Sequence, residues 1–589
     1  MRAGARDRAS VLLTGLGLAA LFLLASIVAT WPLPGRLNSG LALGTETVAT
    51  VPLLNLWTLA WNVESLGRGS FLTSASYWQA PIFHPAPDTL ALSEPQPLSG
   101  LLAALLAACG LSILAAYNVI LIASLAINGW LACLLSRAVG LGWPAAAAGG
   151  GMVLLLPFTH QELGVLQLVP LAGVLLFALA VLRFREAPGV ASGCLAGLAL
   201  AVAYGFGSQV AVFAAMASAP AVLWWWREPL LAGRSGILGA AAAAGLFLVL
   251  VSPLLIAQSR ATAGQGFERS EETARRQSAR LEHYRTSAWA PLAEIPGSRA
   301  VGLEVSERPS SRAFWPGTLR VLLACFALFA AWRSTAWRPL AVAGALCLAS
   351  GFLLSLGGHL AVGPLSLLDL LRPLPGLSQI RSFFRFALFA QLAVVGLAAL
   401  GLHLLAEAAA RRLGGRALLA AQGAVLALAA LAVLEIRPAM GPVEELPPLS
   451  SDLPWLNWIL EESAPEDVLA FVPFPDGRSA RAYLGTGQWM YWQMSHWRPM
   501  VNGYSGFFPA DFRSLKKAMQ TFPDRASLEA LGQAGVRFCI VHRAYMAQAQ
   551  APDPAAPLAL VPRFQDEQHA LAIFELLPRD SARRPSTRR

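Results

Sequence analysis

Long apolar runs, separated by short arginine-bearing segments, recur along the chain as far as residue 436. A bilayer core about 30 Å thick requires about 20 residues of α-helix at about 1.5 Å rise per residue. Runs of this kind predict transmembrane helices, about eleven in this chain. The predicted spans are 11–31, 117–137, 144–159, 163–183, 189–204, 209–226, 236–257, 318–332, 338–356, 385–406 and 417–436.

Composition agrees with this prediction. Of the 589 residues, 56% are apolar and 13% are charged, whereas a soluble domain carries about 25% charged residues. The formal charge of +10 comes from arginines scattered between apolar runs, without the basic stripe that nucleic-acid binding requires, so no nucleic-acid partner is expected. The six cysteines form no CxxC or Cys/His cluster. We therefore expect no structural metal site and no cofactor, although a divalent cation is compatible with the sequence.

The arginines also predict orientation, because Lys and Arg in short loops are retained at the cytoplasmic face. With a cytoplasmic N-terminus, the opposing short turns 157–162 and 205–208 carry no arginine. The inner segments contain Arg2, Arg6, Arg8, Arg137, Arg183, Arg185, Arg227, Arg234, Arg333, Arg338, Arg411, Arg412 and Arg416. We expect a multi-pass protein of a bacterial inner (cytoplasmic) membrane. An odd number of spans then places the C-terminal region in the periplasm.

The same pattern divides the chain into two parts. Residues 1–439 are predicted to form the transmembrane domain, with a large first outside loop at 32–116 and a second at 258–317. Within the first loop, the short alanine-rich run 97–112 predicts a helix that is half-buried at the membrane surface.

Residues 440–589 predict a small soluble α/β domain. Short apolar runs at 468–472, 536–541 and 571–576 are rich in β-branched or aromatic residues, as buried strands are. Segments 452–463 and 524–534 are predicted to be helical, and the last six residues are expected to be disordered.

The first outside loop contains the most informative polar residues. Glu46 and Glu94 lie in largely apolar sequence, and His84 lies between them. An ionised group is costly in such surroundings, which makes both carboxylates candidates for a functional role. A carboxylate here could remove a proton from an attacking hydroxyl, while Trp57 and Trp61 stack on a sugar ring. The simpler interpretation of the aromatic residues is a belt at the membrane interface, and solvation would equally explain the carboxylates.

Three other segments contain candidate residues. His160 and Glu162 lie in a tight outside turn, where they could face the first loop or merely cap two helices. Arg381 and Arg385 are four residues apart, so on a helix they would share one face and jointly bind a phosphate, unless they only reach toward lipid headgroups. Tyr504 lies in a glycine-aromatic loop at 502–509 that could recognise an acceptor, cover a membrane cavity or form a plain packing turn.

Taken together, these segments resemble the glycosyltransferase C (GT-C) superfamily, and more narrowly a bacterial subgroup of polytopic membrane proteins assigned to it. The resemblance rests on one span before a large acidic outside loop, on many further spans, and on a C-terminal periplasmic domain. The local segments that carry it are 57–62, 80–85, 93–97, 116–118, 381–386 and 503–507.

The resemblance implies transfer of a sugar from a polyprenyl-phosphate carrier to a periplasmic or cell-envelope acceptor. Relatives place an acidic residue, usually Asp, in the first loop. Here Val51 precedes Pro52 where Gly-Asp would be expected, so Glu46 would substitute for that residue, and Glu94 matches the later acidic position.

These observations lead to a hypothesis of an inverting glycosyltransferase. Glu94 or Glu46 would act as the general base and His84 or His160 would orient the acceptor or leaving group, while Arg381 and Arg385 bind the carrier phosphate. Trp57, Trp61, Glu162 and Tyr504 complete the expected site. The alternatives are a transporter or flippase for a lipid-linked glycan, which the scarcity of ionisable residues in the spans disfavours, and a non-catalytic envelope scaffold.

Overall fold

The computed structural model describes residues 2–263, 265–267, 269–289, 304–305, 312–374, 376–548 and 556–579, with residues 2–14, 232, 304 and 305 as backbone only. Much of the predicted second outside loop, and the C-terminal residues expected to be disordered, lie outside the described residues.

Helices make up most of the structure. Those of the N-terminal part are α1 (Arg2–Ala29), α2 (Thr50–Gly67), α3 (Ala75–Trp78), α4 (Pro97–Ala108), α5 (Ile113–Ala138), α6 (Trp143–Leu154), α7 (Pro157–Gln161), α8 (Ala172–Glu186), α9 (Val190–Phe206), α10 (Ser208–Ala232) and α11 (Arg234–Thr262). They are followed by α12 (Glu271–Arg276), α13 (Thr318–Trp332), α14 (Arg338–Leu356), α15 (Leu367–Leu371), α16 (Ala387–Arg412) and α17 (Gly415–Leu434).

Seven helical segments of the described chain are long and apolar enough to cross a membrane: Ile113–Ala138, Leu166–Glu186, Ser208–Leu231, Arg234–Thr262, Arg338–His359, Phe383–Arg412 and Gly415–Leu434. Each coincides with a predicted span. The predicted spans 11–31, 189–204 and 318–332 coincide with shorter apolar helices, and 144–159 contains α6 and the start of α7. The chain is therefore an α-helical polytopic membrane protein.

The first loop folds into helices that lie between the bundle and the C-terminal region. Helix α4 is half-buried, since Leu102 and Leu105 are exposed while Gly100 packs against Asn62 of α2. The loop is tied to the far end of the chain by an antiparallel pair, β1 (Gly40–Ala42) with β6 (Val443–Glu445).

The C-terminal region is a small α/β unit. Its four-stranded sheet has the order β7-β8-β10-β9, with β7 parallel to β8 and the other neighbours antiparallel. The strands are β7 (Val468–Val472), β8 (Val536–His542), β9 (Leu558–Asp566) and β10 (Leu571–Pro578), and the helices are α18 (Pro454–Glu462), α19 (Leu484–Gln493), α20 (Ala510–Ala518), α21 (Arg525–Gln533) and α22 (Arg543–Gln548). The remaining strands are short pairs, β2 (Thr286–Ser287) with β3 (Glu304–Val305) and β4 (Ala361–Val362) with β5 (Leu365–Ser366). The three strands predicted from sequence are present, and β9 is an addition.

Candidate functional site

Glu46 lies in the turn between β1 and α2, against the turn that follows α7. The backbone N–H and the hydroxyl of Thr45 both donate to the carbonyl of Gln161, at 2.9 and 3.0 Å. Gly44 (φ +59°) lies so close to the same turn that a Cβ would come within 2.5 Å of that carbonyl oxygen, and this close approach requires glycine. The two turns thus fix the position of Glu46.

The Glu46 carboxylate accepts no hydrogen bond from any described residue. Burial raises its pKa, and the positive charges of Arg385 and Arg381 oppose that rise without cancelling it. Glu46 is consequently a carboxylate without a hydrogen-bonded partner, held beside two guanidinium groups.

Glu162 and Arg385 form a buried ion pair next to Glu46. Arg385 Nη2 lies 3.5 Å from Glu162 Oε2, and the Glu162 side chain is 4% exposed. Burial raises the pKa of Glu162 to about 7, with a lowering contribution from Arg385 and a raising one from Glu46. The same guanidinium donates from Nη1 to Gln209 Oε1 at 2.5 Å, whereas its buried Nε has no hydrogen-bond partner among the described residues.

Glu94 caps the N-terminus of α10. One of its oxygens accepts from the backbone N–H and the hydroxyl of Ser208, at 2.8 and 2.7 Å, and the other accepts from the backbone N–H of Gln209 at 3.1 Å. A carboxylate is favourable there because it satisfies donors at the positive end of the helix dipole. Glu94 is connected to the site only through Gln209, whose side-chain oxygen accepts the hydrogen bond from Arg385.

Arg381, Arg269 and Tyr504 form the other side of the site. Arg381 is exposed and makes no hydrogen bond or ion pair with a described residue. Arg269 lies over the ring of Phe507 at 4.2 Å and donates to the carbonyl of Gly506, while its buried Nε has no partner among the described residues. Burial, and next the charge of Arg381, lower the pKa of Arg269 to about 10.

Tyr504 comes from the C-terminal region and completes this side of the site. Burial raises the pKa of its phenol, while the charges of Arg381 and Glu46 act in opposite directions. The positive charges of Arg381 and Arg269 repel each other. An anion bound here would relieve this repulsion and accept hydrogen bonds from the free donors of the two guanidinium groups.

The remaining predicted residues lie elsewhere. His160 is buried, with Nε2 3.0 Å from the carbonyl oxygen of Leu154. The backbone of His84 pairs with Met500 of the C-terminal region at 3.0 Å. Trp57 donates from its indole to Gln493 at 2.9 Å, and Trp61 donates to the carbonyl of Tyr77 at 2.9 Å.

The two tryptophans therefore lie in a packed interface. The ring of Trp497 is 6.3 Å from Trp57 and 5.4 Å from Trp61. Both first-loop rings are at most 4% exposed, so they hold the first loop against the C-terminal region and contribute no exposed aromatic face.

Three residues of the site were not among the sequence candidates: Arg269, Ser208 and Gln209. Arg269 lies in the polar segment 258–317, where nothing distinguishes it from neighbouring arginines. Ser208 is the last residue of the predicted outside turn at 205–208 and Gln209 follows it; this position next to the turn was the one available signal. In the described part of the chain, no three His, Cys, Asp or Glu side chains are grouped as metal ligands.

These features define a polytopic membrane protein whose candidate site lies where the first loop, one end of the helical bundle and a C-terminal α/β unit meet. No protein-family model and no curated protein matches the sequence. Among solved structures, the fold is similar to that of the arabinofuranosyltransferase AftD from mycobacteria, at 14% identity and a TM-score of 0.52, over 95% of this chain and 39% of AftD. ArnT from Cupriavidus metallidurans, solved with undecaprenyl phosphate, aligns at 15% identity over 95% of this chain and 98% of ArnT, with a TM-score of 0.48.

The likeness to AftD concerns the fold alone, and it confirms the GT-C-like fold that the sequence predicted. The chain spans about two fifths of the length of AftD.

Proposed function

We propose that this protein is a glycosyltransferase that moves a sugar from a polyprenyl-phosphate carrier to a cell-envelope acceptor, with Glu46 as the general base. The observation that carries the proposal is the juxtaposition of an unpaired carboxylate with arginines that retain free donors. A transferase using a lipid phosphate needs both groups, one for the acceptor proton and one for the leaving phosphate.

Glu46 suits the role of base better than Glu94. Both oxygens of Glu94 accept hydrogen bonds at the start of α10, so proton uptake there would disrupt a helix cap. Glu46 has no such bonds, and its raised pKa makes it a stronger base than an ordinary carboxylate.

The proposed step is a direct displacement. Glu46 takes the proton of the acceptor hydroxyl while that oxygen attacks the anomeric carbon of the sugar. The bond between this carbon and the phosphate oxygen breaks, and the carrier phosphate leaves with the bonding electron pair. A single displacement of this kind inverts the anomeric configuration.

Arg381 and Arg269 are the proposed phosphate ligands, with the Tyr504 hydroxyl as a third donor. Charge-assisted bonds from guanidinium groups match phosphate oxygens and stabilise the charge that develops as the bond breaks. Arg385 is a positioning residue in this scheme, because its two terminal nitrogens already contact Glu162 and Gln209.

The proposed location is a bacterial inner membrane, with this site and the C-terminal region on the periplasmic side. The arginine distribution over the short loops supports that orientation. The donor would then be a carrier lipid, since nucleotide sugars are confined to the cytoplasm.

The test uses purified protein in vesicles, synthetic undecaprenyl-phosphate hexoses and pentoses as donors, and an envelope glycan extract as acceptor. Release of undecaprenyl phosphate is followed by mass spectrometry. Glu46→Gln should lower the rate about 100-fold or more, as expected for loss of a general base. Glu64→Gln, at the exposed end of α2, is the matched control and should retain the wild-type rate.

Glu94→Gln separates the two candidate bases. Its expected effect is at most about tenfold, because the amide still accepts a hydrogen bond at the start of α10. Full activity of Glu46→Gln would refute the base assignment. Movement of the labelled donor between leaflets without phosphate release would instead establish a carrier for the lipid-linked sugar.

A further inference from the structure

An apolar cavity of about 300 Å³ lies inside the helical bundle, away from the site described above. Its walls come from α5, α6, α8, α10, α14 and α16. Small side chains on several helices create the space, among them Ala214, Ala217, Gly344 and Gly396.

The cavity offers few hydrogen-bonding groups to water. Its two serines, Ser136 and Ser218, donate to carbonyls of their own helices, at 2.8 Å to Ala132 and 2.6 Å to Ala214. The indole N–H of Trp225, at one end of the cavity, is a buried donor without a partner among the described residues. Ordered water in a cavity needs two to four polar partners, and one donor at one end does not supply them. In a bilayer, the material available to fill it is a hydrocarbon chain.

One end of the cavity continues into a second space of about 190 Å³. The two share Val139, Leu182, Trp225 and Leu340, and the second is also lined by Arg185 and Glu186. An apolar interior thus leads to a polar opening. A lipid has the same arrangement, with apolar acyl chains and a polar headgroup. Tryptophan at such an opening is typical of the membrane–water interface.

The surroundings of this opening are positively charged. The adjoining helix ends carry six arginines against two glutamates: Arg137, Arg183, Arg185, Arg227, Arg333 and Arg338 against Glu186 and Glu228. Arg185 is paired with Glu228 at 2.9 Å and stacks on Trp225 at 4.7 Å, yet an excess of positive charge remains. Basic groups at this depth attract anionic headgroups.

We propose that this cavity binds one anionic phospholipid, with an acyl chain between α8, α10, α14 and α16 and the headgroup at the opening beside Arg185. The lipid enters from the leaflet that faces the arginine-rich ends of the helices. The proposal is independent of the glycosyltransferase function, because none of these residues belongs to the site around Glu46.

The test is photo-crosslinking in vesicles with a phosphatidylglycerol that carries a diazirine near the end of one acyl chain. Labelled peptides are identified by mass spectrometry. In the wild-type protein, peptides from α10 and α16 that line the cavity should be labelled more strongly than the lipid-facing peptides of α17.

Two glycine variants provide a matched pair. A side chain at Gly396 would meet no atom within 4 Å of its Cβ, so Gly396→Phe fills the cavity without a backbone clash. Gly423 of α17 is equally unobstructed and lies outside the cavity. Gly396→Phe should reduce cavity labelling at least fivefold, whereas Gly423→Phe should leave it unchanged, with equal melting temperatures for the two variants.

Headgroup selectivity is tested with the same probe on phosphatidylcholine. The wild-type protein should favour phosphatidylglycerol, and Arg185→Gln should reduce that preference, while Arg416→Gln, at the start of α17 and outside the opening, should not. Cavity labelling that is unaffected by Gly396→Phe would overturn the proposal. Displacement of the probe by undecaprenyl phosphate but not by unlabelled phosphatidylglycerol would also overturn it.

Discussion

Replacing Arg320 by Met should destabilise the junction between α13 and α17. Arg320 is fully buried and donates to the carbonyls of Ala432 at 2.8 Å, Val433 at 3.0 Å and Pro316 at 3.2 Å. In return, Glu435 accepts from the backbone N–H of Leu319 at 3.0 Å. Each helix end is thus capped by a charged side chain from the other.

The magnitude follows from what the substitution leaves behind. Three hydrogen bonds from a charged donor are lost, and the Glu435 carboxylate, 5% exposed, remains in the interior without its cation. A hydrogen bond to a charged group contributes about 1.5–3 kcal/mol, so the free energy of unfolding should fall by about 3 kcal/mol or more. Glu435→Gln should cost less, because the amide oxygen still accepts from the start of α13.

The assay is urea unfolding in detergent, followed by the reaction of a fluorescent maleimide with the buried thiol of Cys133 in a protein whose other five cysteines have been replaced by alanine. The control is Arg333→Met at the opposite end of α13, where the arginine is exposed and lies 4.6 Å from the ring of Phe329. Equal stability of Arg320→Met and Arg333→Met would refute the reciprocal-cap reasoning.

Three further predictions concern the site and its supports. Arg381→Gln should raise the KM for the lipid donor about tenfold, measured from initial rates, because a charge-assisted phosphate contact is lost. The folded-state pKa of Glu162, about 7, exceeds the value of 4.5 that is usual for a glutamate, so the free energy of unfolding should fall as pH rises from about 5 to 7. A melting temperature that stays equally pH-dependent in Glu162→Gln would contradict this assignment. Trp57→Phe loses the bond to Gln493 and should speed limited proteolysis of the C-terminal region; an unchanged cleavage rate would argue against its docking role.

The spans could be predicted from the sequence because the thickness of the bilayer fixes the length of an apolar helix, whatever the tertiary contacts. Glu46 and Glu162 could be singled out because carboxylates are rare in such surroundings. Both signals are local, and both needed only the composition of a short segment.

The pairing of side chains at the site depends on contacts that are distant in sequence. Arg381 and Arg385 were expected to share a helical face, but residues 380–382 are not helical and only Phe383–Phe386 forms a helical turn. Arg385 therefore turns to Glu162, and Arg269, more than 100 residues earlier in the chain, lies near Arg381 instead. No local pattern could reveal this exchange of partners.

The pairing of β1 with β6 has a consequence for synthesis of the chain. Gly40–Ala42 leaves the ribosome early, whereas Val443–Glu445 follows the last membrane helix. Strand β1, next to Glu46, therefore remains without its partner strand until about three quarters of the polypeptide has been synthesised and inserted. Completion of the candidate site is thus one of the last events of biogenesis, and a truncated product ending before residue 443 would lack it.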